Sequence, residues 1–533
     1  YAPLVSDDHA AAVDTRPRTV VRRVDGIECG RTYYVYTALT DVVERAAAQG
    51  APYGATNALR TVTAYHPADA PDGAAGRVRS VRREDGRLDA YAYALADGIW
   101  TTTVTHLHER APAPAEGRTT RDVTRVNARN ETVERRTEAF VGGAWRVVAR
   151  TSYIHDAEGR VVRETDLAGR VAETGWDCCR KISESRPDGS RTTYAYDADG
   201  RLVAESRLTA LDLTNDTRVT TCHRHDGLGR VVATWTTNYE HGVGLPATTT
   251  AYDALGRVAA TTDALGNARR TAYSPDGLTQ TVTNPNGATR IVARNADGTV
   301  ASVAGTAVLP EFTTRGILPD GTKWTRTVRG ASPESPRFAV RYENMLGQTV
   351  REEKPGFGAT VLITSYAYDE YGHRISETFS CRRKDETVLE LLSATLNRYD
   401  FDGTLIVSAR DVNLNGVIDF TGPDRVSGNV VSYVLVDDDV WRETVQVSYP
   451  DSGNERAVVT ARTREKLTGF GHFVSVSEAE NVHGVVSVMT ETIDRNTGLI
   501  VFATKVPTSS QPQLHSHRCG KVVESISTTS VTN

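Results

Sequence analysis

The chain has 533 residues and a formal net charge of −5, with 43 glycines, 20 prolines and 2 methionines. So nearly balanced a charge excludes the basic field that draws nucleic acid or an anionic membrane surface, and no run reaches the roughly 18–20 apolar residues of a membrane-spanning helix. Far longer than an ordinary domain of about 100–200 residues, it reads as several domains or one repeat array, and its richness in Thr, Val and Tyr favours strands.

The start, Tyr1-Ala2-Pro3, reads as a mature product or an excised fragment whose targeting information lies elsewhere. Residues 1–150 form a divergent β-rich part of the array. Asp41 to Gln49, closed by Gly50, predicts one short helix with a C-terminal glycine. Ala75-Gly76-Arg77-Val78 and Asp85-Gly86-Arg87-Leu88 predict hairpin tips, and Ile99 to Val104 a strand. His106 and His108 share one strand face and read as exposed polar side chains in preference to metal ligands. Ala111-Pro112-Ala113-Pro114-Ala115 predicts an extended Pro-rich loop and a boundary.

Residues 151–305 carry a clear repeat. His155-Asp156-Ala157-Glu158-Gly159-Arg160-Val161 returns as Tyr196-Asp197-Ala198-Asp199-Gly200-Arg201-Leu202, as His225-Asp226-Gly227-Leu228-Gly229-Arg230-Val231 and as Tyr252-Asp253-Ala254-Leu255-Gly256-Arg257-Val258. Turn glycines then follow at 266, 277, 287 and 298, ten or eleven residues apart, which is one turn plus one strand of typical length. The Asp of each Asp-x-x-Gly accepts a backbone N–H two residues on. The Gly takes positive φ and builds a bulged hairpin, and Arg-Val or Arg-Leu begins the return strand. Cys178 and Cys179 are adjacent, which strains an ordinary disulfide, and read as two free or separately paired thiols at a turn in preference to a redox switch. With no Cys-x-x-Cys among six cysteines, a zinc site is not expected.

Residues 306–533 hold degenerate copies: Tyr342 to Gly347, Tyr368-Asp369-Glu370-Tyr371-Gly372-His373, Tyr399 to Gly403, and echoes at Asn496-Thr497-Gly498 and Cys519-Gly520. A loop at 411–424 interrupts them. Asp411, Asn413, Asn415 and Asp419, with the Val417 carbonyl, occupy positions 1, 3, 5, 9 and 7 of a calcium-loop pattern with Gly416 at position 6. Position 12 is Gly422 where a bidentate Glu belongs, and Asp424 is the substitute. Ile418 is expected to pack inward. The alternative is a polar hairpin loop whose Asx side chains cap its own backbone. Asp437-Asp438-Asp439 reads as a solvated tip, and His515 and His517 as exposed.

The recurring Tyr-Asp-x-x-Gly-Arg-Val/Leu resembles the YD repeat of Rhs proteins, insecticidal toxin-complex C components and teneurins. The resemblance is clear from about 150 to 300 and degenerate from about 340 to 521. It implies an all-β fold, a continuous antiparallel β-hairpin ribbon wound as a spiral or partial hollow shell. It further implies a secreted or surface structural protein that encloses or presents a C-terminal toxin domain, with that cargo or the secretion machinery as partner. The DPxGL-like self-cleavage segment of bacterial shells is not found in this sequence. Teneurin-like members imply the other reading, adhesion or carbohydrate binding, with Trp100, Trp145, Trp235, Trp324 and Trp441 as stacking platforms. No GxSxG or GK[ST] motif is present, so no catalytic residues are assigned and an enzyme is not expected.

Overall fold

In a computed structural model, the structure describes residues 18–526 apart from 72, 188, 209–218, 239–247, 384–389, 401, 450–456, 472–474, 482, 485, 495–498, 506–512 and 519–520. The expected echoes at Asn496-Thr497-Gly498 and Cys519-Gly520 lie outside the described residues. The described residues form thirty-nine strands and no helix. Wherever a strand pairing is described, each strand runs antiparallel to its neighbour in sequence: Thr248–Tyr252 pairs Val258–Thr262, which pairs Ala268–Tyr273. This is the expected hairpin ribbon. Strands of five to seven residues fill the stretch from Val161 to Thr283, with one longer, Val231–Asn238.

The turns are built as the repeat predicts. In Asp253 to Arg257, the Gly256 N–H donates to the Asp253 carbonyl at 3.0 Å and the Asp253 N–H to the Arg257 carbonyl at 2.8 Å. Gly256 sits at φ +79°, where a Cβ would meet the left-handed penalty. The register shifts by one residue between Ala251 and Tyr252, the bulge that lets the turn follow strand twist. The same shift recurs at Ile154/His155, Ala195/Tyr196 and Arg224/His225.

The short helix expected over Asp41 to Gln49 does not form. Thr40–Arg45 is a strand, paired on one side with Ile27–Tyr36 and on the other with Leu59–Tyr65. Val42 and Val43 suit a pleated surface, and Val42 is buried. Glu44 is fully buried; it accepts the Gly54 N–H at 2.7 Å and Arg60 Nε–H at 2.9 Å. Arg60 is its cross-strand partner in the register. A helix would withdraw that carboxylate from both donors, so tertiary pairing overrides the local signal. Gly50 does take a positive φ, +63°.

The chain divides into two units. One holds residues 1–130, 135–148 and 312–463; the other holds 131–134, 149–311 and 464–533. In the first, buried apolar side chains form small local groups: Val407, Ala409 and Val426 make one, covered by Ile406, Ile418, Phe420 and Tyr449. In the second, Val282 and Val292 are among the few buried apolar residues.

Candidate functional site

The repeat's consensus residues converge on one another. The Asp226 carboxylate accepts the backbone N–H groups of Leu228 and Arg230, each at 2.9 Å, and its other oxygen takes Arg230 Nε–H at 2.8 Å. Asp253 repeats this with Leu255, Arg257 and the Arg257 guanidinium. The Arg201 N–H and then its guanidinium hold the Asp197 carboxyl below the usual carboxylate range. The Arg230 N–H and guanidinium do the same for Asp226.

Several arginines so held lie over the aromatic ring of the following repeat. Arg230 is 4.5 Å from the Tyr252 ring centroid, Arg257 is 4.1 Å from Tyr273, and Arg160 is 5.4 Å from Trp176. The aromatic tip then reaches back to the first carbonyl of the preceding strand. Tyr252 Oη–H donates to Val231 O at 2.8 Å, Tyr196 to Lys181 O at 2.8 Å, Tyr368 to Thr349 O at 2.7 Å and Trp176 Nε1–H to Val161 O at 2.9 Å. His373 stands where arginine does elsewhere; it contacts Asp369 at 3.1 Å and stacks on Tyr399 at 4.7 Å. Carboxylate, guanidinium and ring are thus joined in a staple that ties one hairpin to the next.

Within the first unit, hairpin tips of 312–463 seat on residues 19–148. Arg45 Nη1–H donates to Leu346 O at 3.0 Å, and Met345 and Leu346 are buried there. Tyr371 Oη–H donates to Glu109 at 2.7 Å, and burial with that hydrogen bond pushes the phenol up to about 12. Arg110 pairs with Glu370. Arg118 pairs with Asp400 and, at 2.8 Å, with Asp402. Burial and the adjacent Asp402 raise the Asp400 carboxyl. Tyr433 N–H donates to Gly117 O at 2.7 Å. A cleft of about 460 Å³ between Arg45, Leu59, Glu84, Leu346 and Tyr371 lies at this junction. Leu346 is 8% exposed, whereas leucines at the same turn position, Leu228, Leu255 and Leu265, are 76–86% exposed.

The 411–424 loop joins the strands Leu405–Asp411 and Arg425–Val436. Asp411 and Asp424 are buried. Asp411 accepts the N–H groups of Asn415 at 3.2 Å and Gly416 at 2.8 Å; Asp424 accepts those of Val412 at 2.9 Å and Asp419 at 3.1 Å. The amides of Asn413 and Asn415 both donate to Asp419 Oδ2, at 2.9 and 2.8 Å. The Asn415 side-chain oxygen accepts Val417 N–H at 2.8 Å. Gly416 has φ +77°, and Ile418 packs inward as expected. The sequence pattern therefore brings Asp411, Asn413, Asn415, Val417, Asp419 and Asp424 into one loop. The side-chain oxygens of Asp411, Asn413, Asn415 and Asp424 cap its backbone.

Other residues singled out in the sequence part ways. His106 contacts Asp89 at 2.8 Å and Asp122 at 3.1 Å. His108, expected to be exposed, is buried: it accepts Arg110 N–H at 3.1 Å and meets the Tyr371 ring edge-on at 5.5 Å. The covering partner lies more than 260 residues away, beyond any strand-face argument. Trp441 is likewise buried and is no exposed stacking platform. Trp100 and Trp145 lie under Arg77 at 4.6 Å and Arg121 at 4.3 Å. Asp437 and Asp438 form the exposed tip expected, both at positive φ. The side chains of His515 and His517 lie outside the described residues. Among the described residues, no helix is long and apolar enough to cross a membrane.

Comparisons with known proteins agree with this geometry. The RHS Repeat family model matches residues 252–289, the stretch with the most regular turns. No curated protein matches the sequence. Among solved structures, the chain is similar to one from a Photorhabdus luminescens Tc holotoxin pore bearing a mutated TccC3, with TM-score 0.51 and 12% identity. It is also similar to a TcdB2-TccC3-TEV crystal structure, with TM-score 0.54 and 12% identity. The matches cover 95% and 94% of this chain but only 31% and 29% of those chains.

Proposed function

From the premise that this chain is an Rhs/YD-repeat protein, we propose that it is a structural shell segment of a larger secreted or surface protein, enclosing or presenting a C-terminal toxin domain. One observation carries the reading. Repeat carboxylates, guanidiniums and rings are tied to one another as staples, and the tips of one ribbon stretch seat on another through Leu346, Tyr371 and Arg118. Such a surface is built for stacking ribbon on ribbon. The exposed leucines 228, 255 and 265 repeat the turn position that Leu346 buries, and on this reading a further layer covers them.

Electron microscopy of the full-length protein tests it. A closed hollow particle whose C-terminal domain resists added protease is the expected result. A solid rod, or a C-terminal domain digested at the rate of the isolated domain, would end the proposal. The adhesion reading predicts instead binding on a glycan array that survives removal of the C-terminal domain; the burial of Trp441 and the arginines over Trp100 and Trp145 weigh against it.

Calcium at the 411–424 loop is a proposal of its own, supported by an all-oxygen set of side chains suited to a hard cation. The ion would displace the Asn413 and Asn415 amides from Asp419. Isothermal titration with Ca²⁺ should give heat that Asp411→Ala abolishes; no heat at millimolar calcium leaves a self-capped turn.

A further inference from the structure

Among the described turns of 151–305, nearly all place glycine at the fourth position. The reversal Asp177-Cys178-Cys179-Arg180 does not. It is one residue tighter: Trp176 pairs with Lys181, where the parallel Tyr196 pairs with Leu202. The Asp177 N–H donates to Arg180 O at 2.9 Å, which leaves the two cysteines as the whole of the loop. Both are exposed, and their sulfurs lie 2.9 Å apart.

The tip is held from both sides. Asp177 Oδ1 accepts the N–H groups of Cys179 at 2.7 Å and Arg180 at 2.6 Å. From the turn at 156–160, Arg160 Nη1 donates to Asp177 O at 2.8 Å and Cys178 O at 3.1 Å. The two thiols are therefore presented together on a fixed backbone, which raises their effective concentration towards each other. Two arginines lie close by, and positive charge favours the reactive thiolate. The hydrogen bond with the Cys179 sulfur pushes the Cys178 thiol up.

We infer that Cys178-Cys179 is a reversible thiol-modification site, a vicinal dithiol that exchanges with small-molecule disulfides and closes on itself. In the first step a thiolate attacks one sulfur of a disulfide RSSR, forming a mixed disulfide and expelling RS⁻. The second thiol then loses its proton to solvent, and its sulfur displaces the other RS⁻. The protein gives up two electrons and gains a Cys178–Cys179 bond; RSSR is reduced to two thiols. Adjacent Cα atoms, about 3.8 Å apart, are closer than an ordinary disulfide prefers. Such a ring is strained and readily reduced again, which marks it as a labile modification and not a structural bridge.

The test exposes the 533-residue chain to glutathione buffers of rising disulfide content, then acid quench, alkylation and tryptic mapping. The peptide Val171–Arg180 carries both thiols. It should appear unalkylated and two hydrogens lighter, exceeding its own glutathione adduct by at least about tenfold, and dithiothreitol should reverse the change. Mid-strand Cys222 and Cys381 serve as internal references and should lag behind. Cys178→Ser and Cys179→Ser should each stop at the mixed disulfide. Alkylation of both thiols under conditions that modify Cys222, or a stable double glutathione adduct, would overturn the inference.

Discussion

Replacing Arg118 with methionine tests the seat between ribbon stretches most sharply. The substitution keeps an apolar stem and removes the guanidinium that faces Asp400 and Asp402. The Arg118 side chain is 19% exposed, Asp400 9% and Asp402 28%. Stripping one partner from a fully buried pair costs roughly 3–5 kcal/mol; with these exposures, water softens that to about 2–4 kcal/mol. For a cooperative unit of this size the loss lowers Tm by roughly 4–12 °C. The pH dependence has a definite sign. Burial and Asp402 already raise the Asp400 carboxyl, so its protonated form is favoured in the fold; losing Arg118 raises it further and also lifts Asp402, which is held low in the parent. The penalty relative to the parent is smallest near pH 4, around the unfolded carboxylate value of about 3.9, and grows towards pH 7. Urea unfolding of both proteins from pH 4 to 8 reads this directly, and adding Asp400→Asn and Asp402→Asn to the variant should recover most of the loss. A loss under about 0.5 kcal/mol at pH 7, or one that widens as pH falls, refutes the reasoning.

Further predictions address the repeat. Tyr252→Phe removes the hydrogen bond to Val231 O while sparing the ring under Arg230. It should cost about 0.5–1.5 kcal/mol and speed amide exchange in Val231–Asn238; unchanged exchange would count against the staple. Gly256→Ala meets only Arg230 Nη1 at 3.6 Å, so its cost is the left-handed backbone alone, about 1–2 kcal/mol. Gly305→Ala would put a Cβ 2.2 Å from Thr289 O and should lower the urea midpoint markedly more; equal midpoints would contradict this packing. The hydrogen bond to Asp89 chiefly, and then that to Asp122, raises the His106 imidazolium. Its stabilisation is therefore full below about pH 6.5, the unfolded value, and fades as pH rises through the folded one. His106→Asn should be least stable relative to the parent below pH 6.5, and ring proton shifts in the parent should titrate above it.

Much of this fold was legible because its signals are local. Asp-x-x-Gly dictates its own turn, so Asp253 and Gly256 could be placed from five residues, and Ile418 from one loop pattern. The reach of Tyr252 to Val231 was not, though the recurrence of Tyr at each strand end before Asp was the available clue. His108 and Asp41 to Arg45 failed for the same physical reason: their environment is set by partners far along the chain, Tyr371 for the first and the flanking strands for the second. The calcium pattern named residues that share one loop but could not reveal how many lone pairs that loop keeps for itself.

Because the Asp-x-x-Gly-Arg turns settle their own charges and several pass a ring contact onward, the rest of a strand answers chiefly to alternation. Substitutions at those positions can accumulate without unseating the backbone, which accounts for a shared architecture at 12% identity. Whole hairpins can also be gained or lost between intact neighbours. A lineage could alter the ribbon's length in hairpin steps while leaving every remaining joint as it was.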